Sequence, residues 1–432
     1  MSLSPPERPR IVLVAPNVSR LMGGEAIKSL HIFQGYRDLG FDVRQVAHAR
    51  VRAELSRDMP ELPVDYVEDG PVQIWLHRLG LSWLLGFVGS WLLTRRARQL
   101  VDETAPWLVH FTAPISPSYP FLPVKGVPVV IGPLNGNLLH PPAFHDRESR
   151  AKRIGALLLR PAQLANQYLL GGKRGATLFI SGGQRTVAAL ELGGCRRDQM
   201  VFTLDSGVHD DLRHAPRLTH AGVNHHFLFV GRLVRYKGCD LAIKALKFAP
   251  DAILDIAGDG EQRAALEALA VAEGVADRVN FLGYIPSGPA LFDLWRRARG
   301  FVFPSLAEAN GIVIQEAMMI GLPVVAVNWG GPVELLDAQT GILIEPDDEH
   351  SVVQGLAAAL RTLAADPALA ERLSVAARLE AEHRGFAWST LLQNWAGLYD
   401  EVLARAGSER RFQPWLAAHA PPNEAPAAPA AG

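Results

Sequence analysis

From His225 to Asn328 the chain alternates between two periodicities. Short apolar runs ("HHFLFVG", "AILDIAG", "RVNFLGYI", "GFVFPS", "LPVVAVN") are separated by stretches of helical spacing ("GCDLAIKALKFA", "EQRAALEALAVAEG", "GPALFDLWRRAR", "GIVIQEAMMIG"). Uninterrupted apolar runs suit strands buried on both faces. Strand–helix–strand repeats in turn imply a parallel sheet covered by helices. Gly274 and Gly321 stand just past the last periodic residue of their helices, where a left-handed stop is expected.

The first half repeats the theme. "RIVLVAP" (10–16) reads as a buried strand, followed by a Gly23-Gly24 turn and a helix through Ile27, Leu30, Ile32, Phe33 and Leu39. Further strands are expected at 107–111, 127–132 and 176–181, the first two separated by the proline-punctuated loop "TAPISPSYPFLP". Between the halves, "VHDDLRHAPRLTHAGVN" (208–224) is polar and broken by Pro and Gly, and reads as a linker. The expected fold is therefore α/β, with two Rossmann-like β/α/β domains facing across a cleft. Residues 1–210 would form the N-terminal, acceptor-side domain and 222–385 the C-terminal, donor-side domain. A helix at 386–410 would pack back on the N-terminal domain, and the Ala/Pro-rich 411–432 would be disordered.

A chain of 432 residues with 48% hydrophobic and 20% charged residues has ample material for two cores. Its formal net charge of −1 offers no basic field for nucleic acid. The two cysteines, Cys195 and Cys239, lie far apart and fit a reducing compartment. "MSLSPPERPR" has no leader-like apolar core, so the expected location is cytoplasmic, with a possible peripheral place at the inner face of the membrane. That second option comes from Leu79–Arg98, "LGLSWLLGFVGSWLLTRRAR". Its apolar run stops short of the roughly 20 residues a membrane-spanning helix needs. It carries Trp83 and Trp91, follows Trp75, and ends in three arginines. It reads either as a buried helix or as a surface leaning on an anionic membrane. The basic, apolar Arg150–Ala176 shares this character.

Open α/β sheets bind ligands outside the carboxyl ends of their strands. After "FLFVG" come Arg232 and Lys237, a planar fork and a mobile point charge suited to a diphosphate. After "AILDIAG" comes the turn Asp259-Gly260. After "FVFPS" comes "EANGIVIQEAM", with Glu308 in a loop, Asn310-Gly311 at a tight turn, and Glu316 in the second turn of a helix. A helix N-terminus attracts phosphate, whereas two carboxylates suit hydroxyls; together they suggest a sugar nucleotide.

"GRLVRYKG", "AGDGE", "FLGYI", "EANGIVIQEAMMIGLPVVAV" and "GGPVELL", in that order, resemble the C-terminal signatures of family 4 (group 1) retaining glycosyltransferases of GT-B fold. The resemblance implies transfer of a sugar from a nucleotide-sugar donor, UDP- or GDP-linked, to a glycan or lipid-linked acceptor, in bacterial polysaccharide or glycolipid biosynthesis. It implies that Arg232 and Lys237 hold the diphosphate and that Glu316 binds the ribose. Glu308 would contact the transferred sugar, beside the backbone N–H groups of Gly311, Ile312 and Val313. Gly23 and Gly24 would approach the diphosphate from the other domain, and Gly283, Tyr284 and Ile285 would border the base. Many relatives carry His-x-His after the fourth strand; "VHFTAP" places His110 and Thr112 there, on the acceptor side. No Asp-x-Asp stands at a strand exit, so no metal cofactor is expected. The rivals are a sugar-nucleotide epimerase of the same fold and a non-catalytic nucleotide-sugar or glycan-binding protein. Dehydrogenases and P-loop NTPases are excluded by the missing glycine motifs.

Overall fold

The structure, a computed structural model, describes residues 7–79, 82–136, 139–147, 161, 163–165, 171–286 and 288–419. The chain divides into two compact units. The first comprises Met1–Gly136, Leu159–Asp205 and Trp388–Gly432; the second comprises Asn137–Leu158 and Ser206–Ala387.

The first unit holds a seven-stranded parallel sheet of β1 (Arg10–Val14), β2 (Asp42–His48), β3 (Val64–Val67), β4 (Leu108–Phe111), β5 (Val129–Leu134), β6 (Thr177–Ile180) and β7 (Met200–Phe202), in the order β3-β2-β1-β4-β5-β6-β7. The second holds a six-stranded parallel sheet of β8 (His226–Val230), β9 (Ile253–Ala257), β10 (Val279–Gly283), β11 (Gly300–Phe303), β12 (Val324–Val327) and β13 (Gly341–Ile344), in the order β10-β9-β8-β11-β12-β13. In each sheet the winding reverses once, between β1 and β4 and between β8 and β11. Those reversals open the crevices where ligands of such sheets bind. Every strand of the sequence reading is present. The sequence reading missed β2, β3, β7 and β13; β2 follows its helix after three residues and sets Asp42, Arg44 and Gln45 among its apolar residues, so it lacks the continuous apolar signal.

Three segments depart from expectation. The polar stretch 208–224 is not a loose linker. The Val208 N–H donates to the Phe386 carbonyl at 2.7 Å. Arg378 donates to the carbonyls of Leu212, Arg213 and Ala215. The tail is ordered as far as His419, because Phe412 is fully buried, packs on Phe41 and Trp107, and leads into the helix Gln413–His419. Residues 420–432 lie outside the described residues.

The third departure is an excursion of the β5–β6 connection into the second unit. Phe144 is part of that unit's core. The Arg147 side chain is only 5% exposed and pairs with Asp240 and Glu349, each at 2.8 Å. The Trp329 indole N–H donates to the Leu139 carbonyl at 2.7 Å. The helix Trp388–Arg405, by contrast, belongs to the first unit. There Tyr399 meets the Tyr36 hydroxyl at 2.7 Å, and Trp388 stacks on His31.

Candidate functional site

At the reversal of the second sheet, the loops leaving β8 and β11 are joined backbone to backbone. The Leu306 N–H donates to the Tyr236 carbonyl at 2.8 Å. Gly238 is left-handed (φ +69°), and a Cβ there would overlap the Pro304 carbonyl. The β9 loop closes on the same structure: the Leu233 N–H donates to the Asp259 carbonyl at 2.9 Å, and a Cβ on Gly258 would overlap the Gly231 carbonyl. The "AGDG" glycines are thus seats for the loop that carries Arg232.

On this frame the candidate side chains take distinct states. Arg232 is exposed, and its guanidinium has no hydrogen bond or ion pair among the described residues. The Lys237 ammonium lies against the Glu308 carboxylate, with the Phe303 ring centroid 5.2 Å away. Glu308 also accepts from the N–H groups of Asn310 (3.4 Å) and Gly311 (3.2 Å), so it caps the turn into the helix Ile312–Ile320. Gly311 is left-handed (φ +75°) and redirects the chain into that helix. The N–H groups of Ile312 and Val313 have no partner among the described residues and sit at the positive end of the helix.

Glu316, one turn further on, has neither a counter-charge nor a hydrogen bond, and burial pushes its carboxyl up to about 7. The two glutamates of the sequence motif therefore have different roles here. Glu308 is tied to Lys237 and the helix cap; Glu316 stands alone. Gly283 is left-handed (φ +75°), Tyr284 is exposed, and Ile285 is half-buried at the β10 exit. Supports that sequence reading missed are the Phe303 ring under Lys237 and the Gly331 N–H, which donates to the Glu308 carbonyl at 2.7 Å.

Residues 214–380 match the family model described as "Glycosyl transferases group 1". The matched segment lies within the second unit. Over 194 residues the chain is 38% identical to the glycogen synthase of Mycobacterium tuberculosis, a match covering 44% of this chain and 45% of that one. The chain spans less than half the length of the curated relatives it matches. Among solved structures, a glycosyltransferase from Rickettsia africae superposes with a TM-score of 0.66 at 15% identity, covering 92% of this chain and 99% of that one. Anabaena HepE, solved in complex with UDP and glucose, superposes with a TM-score of 0.60 at 21% identity, covering 91% and 100%. These likenesses show the fold, two parallel-sheet α/β domains of GT-B class.

The second unit holds most of the candidate residues; the first unit holds the remaining four. Gly23 caps and Gly24 opens the helix Gly24–Asp38. Both are exposed, and a Cβ on either would meet nothing within 4 Å. Nothing in the unit's own packing demands glycine at either position. Glu25 accepts from the Ile115 N–H at 3.1 Å and so ties the β1 exit to the β4 exit.

His110 and Thr112 correct the expectation. Both are fully buried. His110 bonds the Tyr399 hydroxyl at 2.7 Å and the Gly132 carbonyl at 2.8 Å, and packs among Phe179, Trp395 and Tyr399. Burial holds it neutral, down to about 3. Thr112 bonds Ser29 at 3.3 Å. Both side chains serve the core of the first unit and present no group to an acceptor.

Proposed function

We propose that the protein is a retaining glycosyltransferase. It moves a sugar from a nucleotide-sugar donor, a UDP- or GDP-sugar, to a glycan or lipid-linked acceptor in polysaccharide or glycolipid assembly. The observation that carries this reading is the set gathered at the β8/β11 reversal: the unpartnered Arg232 guanidinium, the Lys237–Glu308 pair, the free N–H groups of Ile312 and Val313, and the solitary Glu316 carboxyl. Cations and helix N–H groups suit a diphosphate; carboxylates suit sugar and ribose hydroxyls.

In this reading the bond between the sugar's C1 and the diphosphate oxygen breaks. Arg232, Lys237 and the helix N–H groups offset the charge that develops on the departing phosphate. The acceptor oxygen bonds C1 on the same face, and its proton passes to the departing phosphate oxygen, so no enzymatic nucleophile is required. Glu308 exchanges Lys237 for sugar hydroxyls as the donor arrives, which frees the ammonium for the phosphate. The clamp consists of fixed cations, and the reaction proceeds without metal. The two free cysteines suit the cytoplasm.

The test is nucleoside diphosphate release from UDP-, GDP- and ADP-sugars with EDTA present, starting with UDP-glucose because a neighbour of the same fold holds UDP and glucose. Lys237→Ala and Glu316→Ala are expected to lose about 10²–10³ in rate. Silence with every donor, and no nucleotide binding by calorimetry, would move the assignment to a non-catalytic binding protein. Interconversion of a donor without nucleotide release would move it to an epimerase.

A further inference from the structure

We infer that two consecutive helices of the first unit form a docking surface for an anionic membrane. The helices Pro71–Arg78 and Ser82–Thr104 pack on one another. Val72, Trp75 and Leu79 recur at i, i+3 and i+7 on the first helix and the turn after it, and are 56%, 59% and 53% exposed. On the second helix Phe87 and Trp91 recur at i and i+4, and are 43% and 48% exposed. The opposite face of this helix is in the core through Leu93, Ala97 and Leu100. Its Ser90 hydroxyl, also inward, donates to the Pro120 carbonyl. The helix is therefore anchored by one apolar face and presents a second one outward. Core packing accounts for the first face and not for the second.

Charge selects the occupant. From Pro71 to Val101 the sequence has four arginines and no Asp or Glu; Arg96 pairs with Asp65 and Glu103, and Arg98 donates to the Pro123 carbonyl. Arg78 and Arg95 are exposed and have no acidic partner among the described residues. Arg95 continues the Phe87–Trp91 row by one turn, with its guanidinium carbon 5.5 Å from the Trp91 ring centroid. Two indoles and a phenyl ring flanked by unpaired guanidinium groups match an interface of acyl chains, carbonyls and anionic headgroups. No helix among the described residues is long and apolar enough to cross a membrane, so the contact is peripheral. A protein partner would be expected to answer the arginines with fixed acids; a lipid surface supplies mobile ones. This inference concerns a surface of the first unit and does not depend on the activity proposed for the second.

The experiment is flotation of the full chain with phosphatidylcholine vesicles, with and without about one third phosphatidylglycerol. Binding is expected only to the anionic vesicles, and it should weaken at about 0.5 M salt. The Trp75→Ser/Trp91→Ser pair should reduce binding by at least about tenfold, and Arg78→Gln/Arg95→Gln by a similar factor. These side chains are exposed, so unchanged circular dichroism and melting temperature would confirm that the variants fold. Three results would overturn the inference: no flotation, flotation indifferent to both variants, or a dimer in light scattering that the tryptophan pair dissociates. The last would assign the face to a second copy of the chain.

Discussion

Glu316 shows how one residue's surroundings set its chemistry. Its side chain is half-buried without any compensating partner, and burial pushes its carboxyl up to about 7. The sign follows from the direction of that shift. An acid whose folded pKa is raised contributes most stability below its ordinary value of 4.5, and that contribution is lost as pH rises towards 7. Glu316→Gln removes the buried charge and keeps the shape. It is expected to raise the melting temperature of the ligand-free protein at pH 8 and to leave it unchanged at pH 5. An equal effect at both pH values would show that the carboxyl is not held neutral. The carboxylate thus carries a cost in stability that a hydrogen-bond donor would relieve. Lys237 and Glu308, by contrast, pair with one another.

Among elements, the glycines separate into two kinds with different consequences. Gly274 is left-handed (φ +70°) with open space around it, so alanine there carries only the backbone penalty of about 1–2 kcal/mol. Gly258 is packed on the Gly231 carbonyl, a backbone atom that cannot swing aside. Gly258→Ala forces the β8 and β9 exits apart and is expected to cost more than Gly274→Ala, about 3 kcal/mol. It should also weaken nucleotide binding, because the displaced loop carries Arg232. Urea denaturation and nucleotide titration of the two variants would check this. Equal losses of stability with intact binding would show that the loop contact is not needed to place Arg232. The "AGDG" turn was legible in the sequence, but its reason was not. A turn needs only local conformation, whereas this one is constrained by a strand that adjoins it only in the folded sheet.

At the scale of the molecule, the excursion of the β5–β6 connection is the main departure from a simple two-part chain. Residues 139–147 lie, in sequence, inside the first domain, yet Phe144 and Arg147 belong to the second unit's core and ion pairs. Arg147 donates to Asp240, which lies in the first turn of the helix that follows Lys237 and Gly238. Arg147→Ala leaves Asp240 without its buried partner and is expected to destabilise the second unit by about 2–3 kcal/mol, below the figure for a fully buried pair because Glu349 is half exposed. Chemical denaturation followed by the tryptophans would measure it. A shift below about 0.5 kcal/mol would mean that the excursion is anchored by Phe144 and the Trp329–Leu139 hydrogen bond without help from the ion pairs.

The sequence by itself determined the two α/β halves and their central strands, the strand exits that carry Arg232, Lys237 and Glu308, the helix that carries Glu316, and the glycine stops. These depend on local periodicity and backbone preference, which neighbouring residues carry in full. Only the tertiary structure decided which groups meet. It pairs Lys237 with Glu308, leaves Glu316 alone and buries His110 under Tyr399 and Trp395 from a helix almost 300 residues later. It also moves the β5–β6 excursion into the other unit's core and turns Trp75 and Trp91 outward. Those outcomes depend on what lies across a sheet or against a helix face. Helical spacing specifies an apolar face, but not whether another element covers it.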